Sequence, residues 1–212
     1  MISKILAVLF YLALATAGGA RADAYNDMLT AVKTGNTPVI KQMLAKGMDA
    51  DSTDRIGSTL LIAAASEGQL DAVKLLVEAK GKINARNQYG ETALMMAAIR
   101  GHRGVVEYLI GRGADLNHEG WSALMFAAVK GHADIARLLV AKGAKVDAIS
   151  DNGTTALMLA AKEGNLDTVL VLLENGASVN LRNQAGATAL GLALGGKRRE
   201  VANVLLRAGA EQ

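Results

Sequence analysis

Three histidines are the residues best equipped for acid–base or metal chemistry in this 212-residue chain, and their spacing argues against both. His102 follows Gly101 and His132 follows Gly131, thirty residues apart in matching surroundings, while His118 stands alone in Asn-His-Glu-Gly. If the first two hold equivalent places in successive helical units, their helices lie about 8–10 Å apart. One ion held at about 2 Å cannot reach both. Ser58, Ser66 and Ser122 lack a Gly-x-Ser-x-Gly elbow or a histidine held within reach. The glycines form no complete GxxxxGK[ST] run and no strand-borne GxGxxG. Asp147 and Asp151 read as loop carboxylates rather than a paired acid and base, and Lys197, Arg198 and Arg199 read as a solvated cap. With no cysteine there is no thiolate ligand, thiol nucleophile or disulfide frame. The chain reads as a non-enzyme with no metal and no cofactor.

The elements that carry these residues are helical. Half the residues (51%) are apolar, which excludes a disordered chain. Only 3% are aromatic and there is a single proline, against 23 glycines. Small apolar residues punctuated by glycine suit short helices better than strands, which favour β-branched and aromatic side chains.

The first residues read as an export signal: Lys4 supplies a positive start, Ile5 to Ala17 an apolar run, and Ala20-Arg21-Ala22 a small-x-small cleavage site. The run is shorter than the ~20 residues of a membrane span, so cleavage after Ala22 is expected, with residues 1–22 as signal and 23–212 as the folded domain. Removing Lys4 and Arg21 lowers the formal charge from +3 to +1. A near-neutral chain has no broad footprint for nucleic acid or anionic lipid, so neither is expected as a partner.

Repetition is the strongest signal. GSTLLIAAASEG from Gly57 is followed by GETALMMAAIRG from Gly90, GWSALMFAAVKG from Gly120, GTTALMLAAKEG from Gly153 and GATALGLALGGK from Gly186, at spacings of 33, 30, 33 and 33 residues. Thr59, Thr92, Ser122, Thr155 and Thr188 stand where a hydroxyl caps a helix start. Leu61, Leu94, Leu124, Leu157 and Leu190, with Ala64, Ala97, Ala127 and Ala160, form a narrow apolar stripe at helical spacing. Gly68, Gly101, Gly131 and Gly164 end that helix. A second helix carries Leu76, Leu109, Leu139, Leu172 and Leu205 and closes at Gly113, Gly143, Gly176 or Gly209.

These segments, with closings such as Gly-Ala-Asp-Leu-Asn at Gly113, resemble the ankyrin repeat over nearly all of the chain after the signal. The resemblance implies an all-α solenoid of about six helix-turn-helix units linked by β-hairpin loops, approximately 24–53, 54–86, 87–117, 118–149, 150–182 and 183–212. The chain departs from the family in lacking the proline and histidine of Thr-Pro-Leu-His: Met95, Met125 and Met158 replace that histidine, so apolar packing must hold the corner. The stretch from Ala24 to Asp51 reads as a degenerate capping repeat whose second helix starts at Thr37-Pro38. The last unit, with Gly195 and Gly196, is expected to end its first helix early and to show a polar outer face. Lys80 replaces a closing glycine, and Gly81 after it suggests a turn displaced by one residue. The loop after Asn117 is three residues shorter than the loop after Asn84, leaving only His118 and Glu119 before Gly120.

In such arrays the loop tips and the groove side of the first helix face solvent. The resemblance therefore implies a partner-binding set of Tyr89, Glu91, Arg100, Trp121, Lys130, His118, Glu119, Arg55 and Ile56. Trp121 is the single tryptophan, and large aromatics are favoured interface anchors. Its competing role is as a cover over the shortened loop. The expected function is recognition of a protein partner by a monomer. The Thr-Ala-Leu-Met pattern resembles small exported bacterial ankyrin proteins, which points to the periplasm, with secretion as the alternative destination. An enzyme or ligand carrier using an unrecognised pocket is the competing class.

Overall fold

The computed structural model describes residues 23–211; the expected signal segment and its cleavage site lie outside the described residues. Among the described residues twelve helices succeed one another in pairs. A helix over 23–34 (α1) is followed by α2 (Thr37–Ala45), α3 (Leu60–Ser66), α4 (Leu70–Glu78), α5 (Ala93–Arg100), α6 (Arg103–Gly111), α7 (Ala123–Lys130), α8 (Ala133–Ala141), α9 (Ala156–Glu163), α10 (Leu166–Glu174), α11 (Ala189–Gly195) and α12 (Arg199–Arg207). The first helices stack α3 on α5, α7, α9 and α11, while α2, α4, α6, α8, α10 and α12 form a second row behind them.

Each first helix begins as its sequence dictates. The hydroxyl of Thr59, Thr92, Ser122, Thr155 or Thr188 accepts a hydrogen bond from the N–H three residues on, at 3.1–3.4 Å. The leucine of the stripe is at most 1% exposed in every unit from Leu61 to Leu190, and the matching second-row leucines are fully buried. Burying one such side chain contributes about 1.5–3 kcal/mol. Met95, Met125 and Met158 are also buried, so thioethers fill the corner that a histidine occupies in the family motif.

Loops between pairs turn as hairpins without named strands among the described residues; isolated antiparallel bridges join Thr53 to Thr59 and Ile149 to Thr155. Their backbones close through a short-range pattern, as in Asn87 N–H donating to Glu91 O at 3.1 Å and Gly90 N–H to Asn87 O at 2.9 Å.

Two expectations are corrected and one is met. The Lys80 turn is not displaced: Lys80 itself takes the left-handed conformation at φ 64°, and Gly81 N–H bonds Leu76 O at 2.9 Å, as Ala114 N–H bonds Leu109 O. The bonding pattern of the turn outweighs the 1–2 kcal/mol such a conformation costs a non-glycine residue. At the first pair α2 starts at Thr37, as expected, behind the cap Asn36, whose Oδ1 accepts from Val39 N–H at 3.4 Å. The last unit does end its first helix early, at Gly195, but its outer end is not wholly polar: Leu194 is 52% and Leu206 45% exposed.

Candidate protein-binding cleft

Histidines take part in the stacking. His102 Nε2 is 3.0 Å from Ser66 O, and His132 Nε2 is 3.2 Å from Ile99 O, each ring reaching back to the end of the previous first helix. Gln69, Asn165 and Arg198 do the same from equivalent places, donating to Lys33 O, Ala128 O and Lys162 O. Five side chains of four kinds thus serve one purpose, satisfying carbonyls left without partners at helix ends.

A second ladder runs through the loops. Asn84, Asn117 and Asn180 each donate Nδ2 to the carbonyl of the next unit's closing glycine, and each accepts at Oδ1 from a backbone N–H beyond it. Three residues after Asn84 and Asn180 stand Asn87 and Asn183, whose Oδ1 atoms clasp the loop tips. Asn117 takes the Asn84 role, so the residues absent from its loop include the tip-clasping one. The tips elsewhere bond directly, Gln88 N–H to Ile56 O and Gln184 N–H to Asn152 O, both at 3.0 Å. The short loop lacks such a rung on either side among the described residues; the Arg86 guanidinium spans to Glu119 O at 3.4 Å instead.

Shortening opens a cleft of about 460 Å3 between the loops ahead of α5 and α7. Tyr89, Glu91, Glu119 and Trp121, all named from sequence, line it. Met95 and Phe126 contribute apolar wall, and Arg86 and Asp151 stand at its edges. Asn87, only 7% exposed, positions two of these residues: its Oδ1 accepts from the N–H groups of Tyr89 and Glu91 at 3.0 Å, and its Nδ2 donates to Glu91 Oε2 at 2.8 Å. Sequence reading missed Asn87 as a positioning residue and Arg86 as a lining one. The recurrence of Asp54, Asn87 and Asn183 at the same place in their loops was the available signal.

Trp121 is partly packed and partly open. Its ring centroid lies 5.1 Å from that of Phe126 at a 41° tilt, yet 40% of the residue remains exposed. Tyr89 is 68% exposed. The remaining expected residues do not converge here. Arg100 and Lys130 are exposed at the far ends of α5 and α7, and Arg55 and Ile56 belong to the preceding loop. His118 turns inward: its side chain is 12% exposed, Nδ1 lies 3.5 Å from Asp115 Oδ2, and Nε2 is buried with no partner among the described residues. It shapes the short loop from beneath.

Burial lowers the His118 pKa below its ordinary value, with Asp115 opposing and Arg86 reinforcing the shift. The folded protein therefore favours the neutral ring. Its contribution is complete above the ordinary value of about 6.5 and is lost as pH falls below it toward and past the lowered folded value. Urea midpoints of the protein and of His118→Gln, compared from pH 7.5 to 5, should show the parent losing stability relative to the variant as the solution acidifies. A constant difference would place the ring in water.

An array of stacked helix pairs with a loop-lined cleft defines a repeat-protein recognition scaffold. A family model described as ankyrin repeats (3 copies) matches residues 28–119, 80–150, 113–183 and 145–212, and the chain belongs to the ankyrin-repeat family. It is similar to ankyrin repeat and SAM domain-containing protein 6 of Rattus norvegicus, 36% identical over 92 residues that are 42% of this chain and 10% of that protein. NF-kappa-B inhibitor alpha of Sus scrofa is 34% identical over 93 residues, 41% of this chain and 30% of its own. Alpha-latrocrustotoxin-Lt1a of Latrodectus tredecimguttatus is 39% identical over 92 residues, 43% of this chain and 6% of the toxin. The chain thus matches less than a third of each relative's length. Ankyrin repeats are protein–protein interaction modules, and binding of a protein is the activity that the family carries. No helix among the described residues is long and apolar enough to cross a membrane.

Proposed function

We propose that this chain is an exported, non-enzymatic protein-binding module that recognises a periplasmic protein through the cleft ahead of α5 and α7. The observation that carries the reading is the placement of Tyr89 and Trp121, both well exposed, on one cleft that a three-residue loop shortening opens. Large aromatics held on a rigid stack bind without ordering a loop, which limits the entropic cost of association. Export rests on Lys4, the Ile5 to Ala17 run and the Ala20-Arg21-Ala22 site.

Both halves have a direct test. The intact mass of the periplasmic form should correspond to a chain beginning at Asp23; residues 4–22 retained in a membrane fraction would overturn export. With a captured partner, Tyr89→Ala and Trp121→Ala should each weaken binding at least tenfold, since anchor residues contribute ~2 kcal/mol or more. Tyr89→Ala should leave the melting temperature unchanged, whereas Trp121→Ala should lower it slightly through the lost Phe126 contact, worth about 0.5–1.5 kcal/mol. Unchanged affinity in both variants removes the cleft from the interface.

A further inference from the structure

The cleft carries an acidic balance. Glu91, Glu119 and Asp151 stand around it against the single cation Arg86, in a chain whose overall balance is positive. Arg86 directs its Nη2 at the backbone oxygen of Glu119, and among the described residues no salt bridge reaches any of the three carboxylates. Two exposed acidic groups elsewhere are paired across units, Asp134 with Arg103 and Glu174 with Arg137. The carboxylates come from separate loops, and among the described residues no group of three acidic or histidine side chains could hold a metal ion. An extended cation fits them better than a compact one.

Aromatic faces complete the pattern. The Tyr89 and Trp121 rings stand exposed on the same cleft, over the apolar wall of Met95 and Phe126. Rings attract a guanidinium or ammonium through their electron-rich faces, and apolar wall covers the aliphatic stem of the same side chain. Resting on the protein-binding reading above, we infer that the cleft takes an arginine or lysine side chain presented by a basic segment of the partner. The stem lies along Phe126, the cationic head meets the rings, and Glu119 and Asp151 provide the opposing charge.

Trp121, the only tryptophan, reports on the cleft by its emission. The purified protein is titrated into the millimolar range with a capped nonapeptide bearing one central arginine in Gly-Ser flanks, and with the same peptide bearing citrulline or glutamate. The arginine peptide should give a saturable change that added salt weakens. Citrulline, equal in shape but uncharged, should bind at least fivefold more weakly, and glutamate should not bind. The pair Glu119→Gln with Asp151→Asn should weaken the arginine peptide at least fivefold, while Glu163→Gln, exposed at the end of α9, should have no effect. No saturable response, equal binding of citrulline, or an indifferent Gln/Asn pair each overturns the inference. A captured partner separates the two readings. If Tyr89→Ala weakens it and the Gln/Asn pair does not, cation recognition alone fails; if all variants bind normally, the cleft fails as an interface altogether.

Discussion

Leu124→Ala is expected to lower the stability of the folded chain by about 2–5 kcal/mol, the range for removing a buried leucine from a packed core. Leu124 is 1% exposed on α7, which lies between α5 and α9 and has helix neighbours on both sides. In a linear array stability is approximately a sum of unit and interface terms. A cavity in a central unit therefore weakens its own pair and two interfaces together. Lys130→Ala, exposed at the other end of the same helix, should change stability by less than about 0.5 kcal/mol. Urea melts of the two variants should be far apart; matching midpoints would contradict the burial pattern of α7.

Gly101→Ala should cost about 2–3 kcal/mol through two separate strains. Gly101 caps α5 at φ 79°, a conformation that costs a side-chain-bearing residue about 1–2 kcal/mol. A Cβ there would also stand 2.7 Å from Cε1 of His132, too close to be accommodated unless the ring moves. A displaced ring forfeits its contact with Ile99 O, worth about 0.5–1.5 kcal/mol. His132→Ala in the same chain relieves the clash but not the backbone strain. The double variant should accordingly lose less stability than the two single losses added together, a deviation that a double-mutant cycle measures. Strict additivity would mean that ring and glycine do not meet.

The two effects explain why Gly-His recurs in this chain. Glycine is needed at that place both for its positive φ and for the space it leaves to the next unit. Lys197 shows that the first requirement alone can be overridden: it takes φ 57° at the equivalent place in the last unit, where among the described residues no side chain of a following unit reaches back. Lys80 does likewise at the closing turn of its pair.

Much of this architecture was legible in the sequence because the determinants are local and repeated. A capping hydroxyl, a leucine-alanine stripe and a terminal glycine each specify their own few residues, and a repeat in which every unit contacts only its neighbours turns such local signals into a global fold. Helix pairs, buried leucines and the odd loop at Asn117 follow from reading one unit against another. The candidate site was legible in part: Tyr89, Glu91, Glu119 and Trp121 do share a cleft, whereas Arg100 and Lys130 lie a helix length away from it.

Tertiary structure decided what depends on neighbours distant in sequence. Counting shows that three residues are absent beside His118 but not that the tip-clasping position goes with them, because Asn117 resembles Asn87 as much as Asn84 until its bonds to Gly143 and Lys145 are seen. Residue type gives no hint that His118 faces inward while Glu119 faces the cleft, since both are polar residues of one short loop. His118 meets Asp115 of its own loop and lies near Arg86 of the preceding one, while Glu119 shares the cleft with Asp151 of the following one. Helices here were written into the chain by periodic hydrophobicity and caps; the cleft exists because units of unequal loop length were stacked, and stacking brings together side chains that sequence separates by some thirty residues.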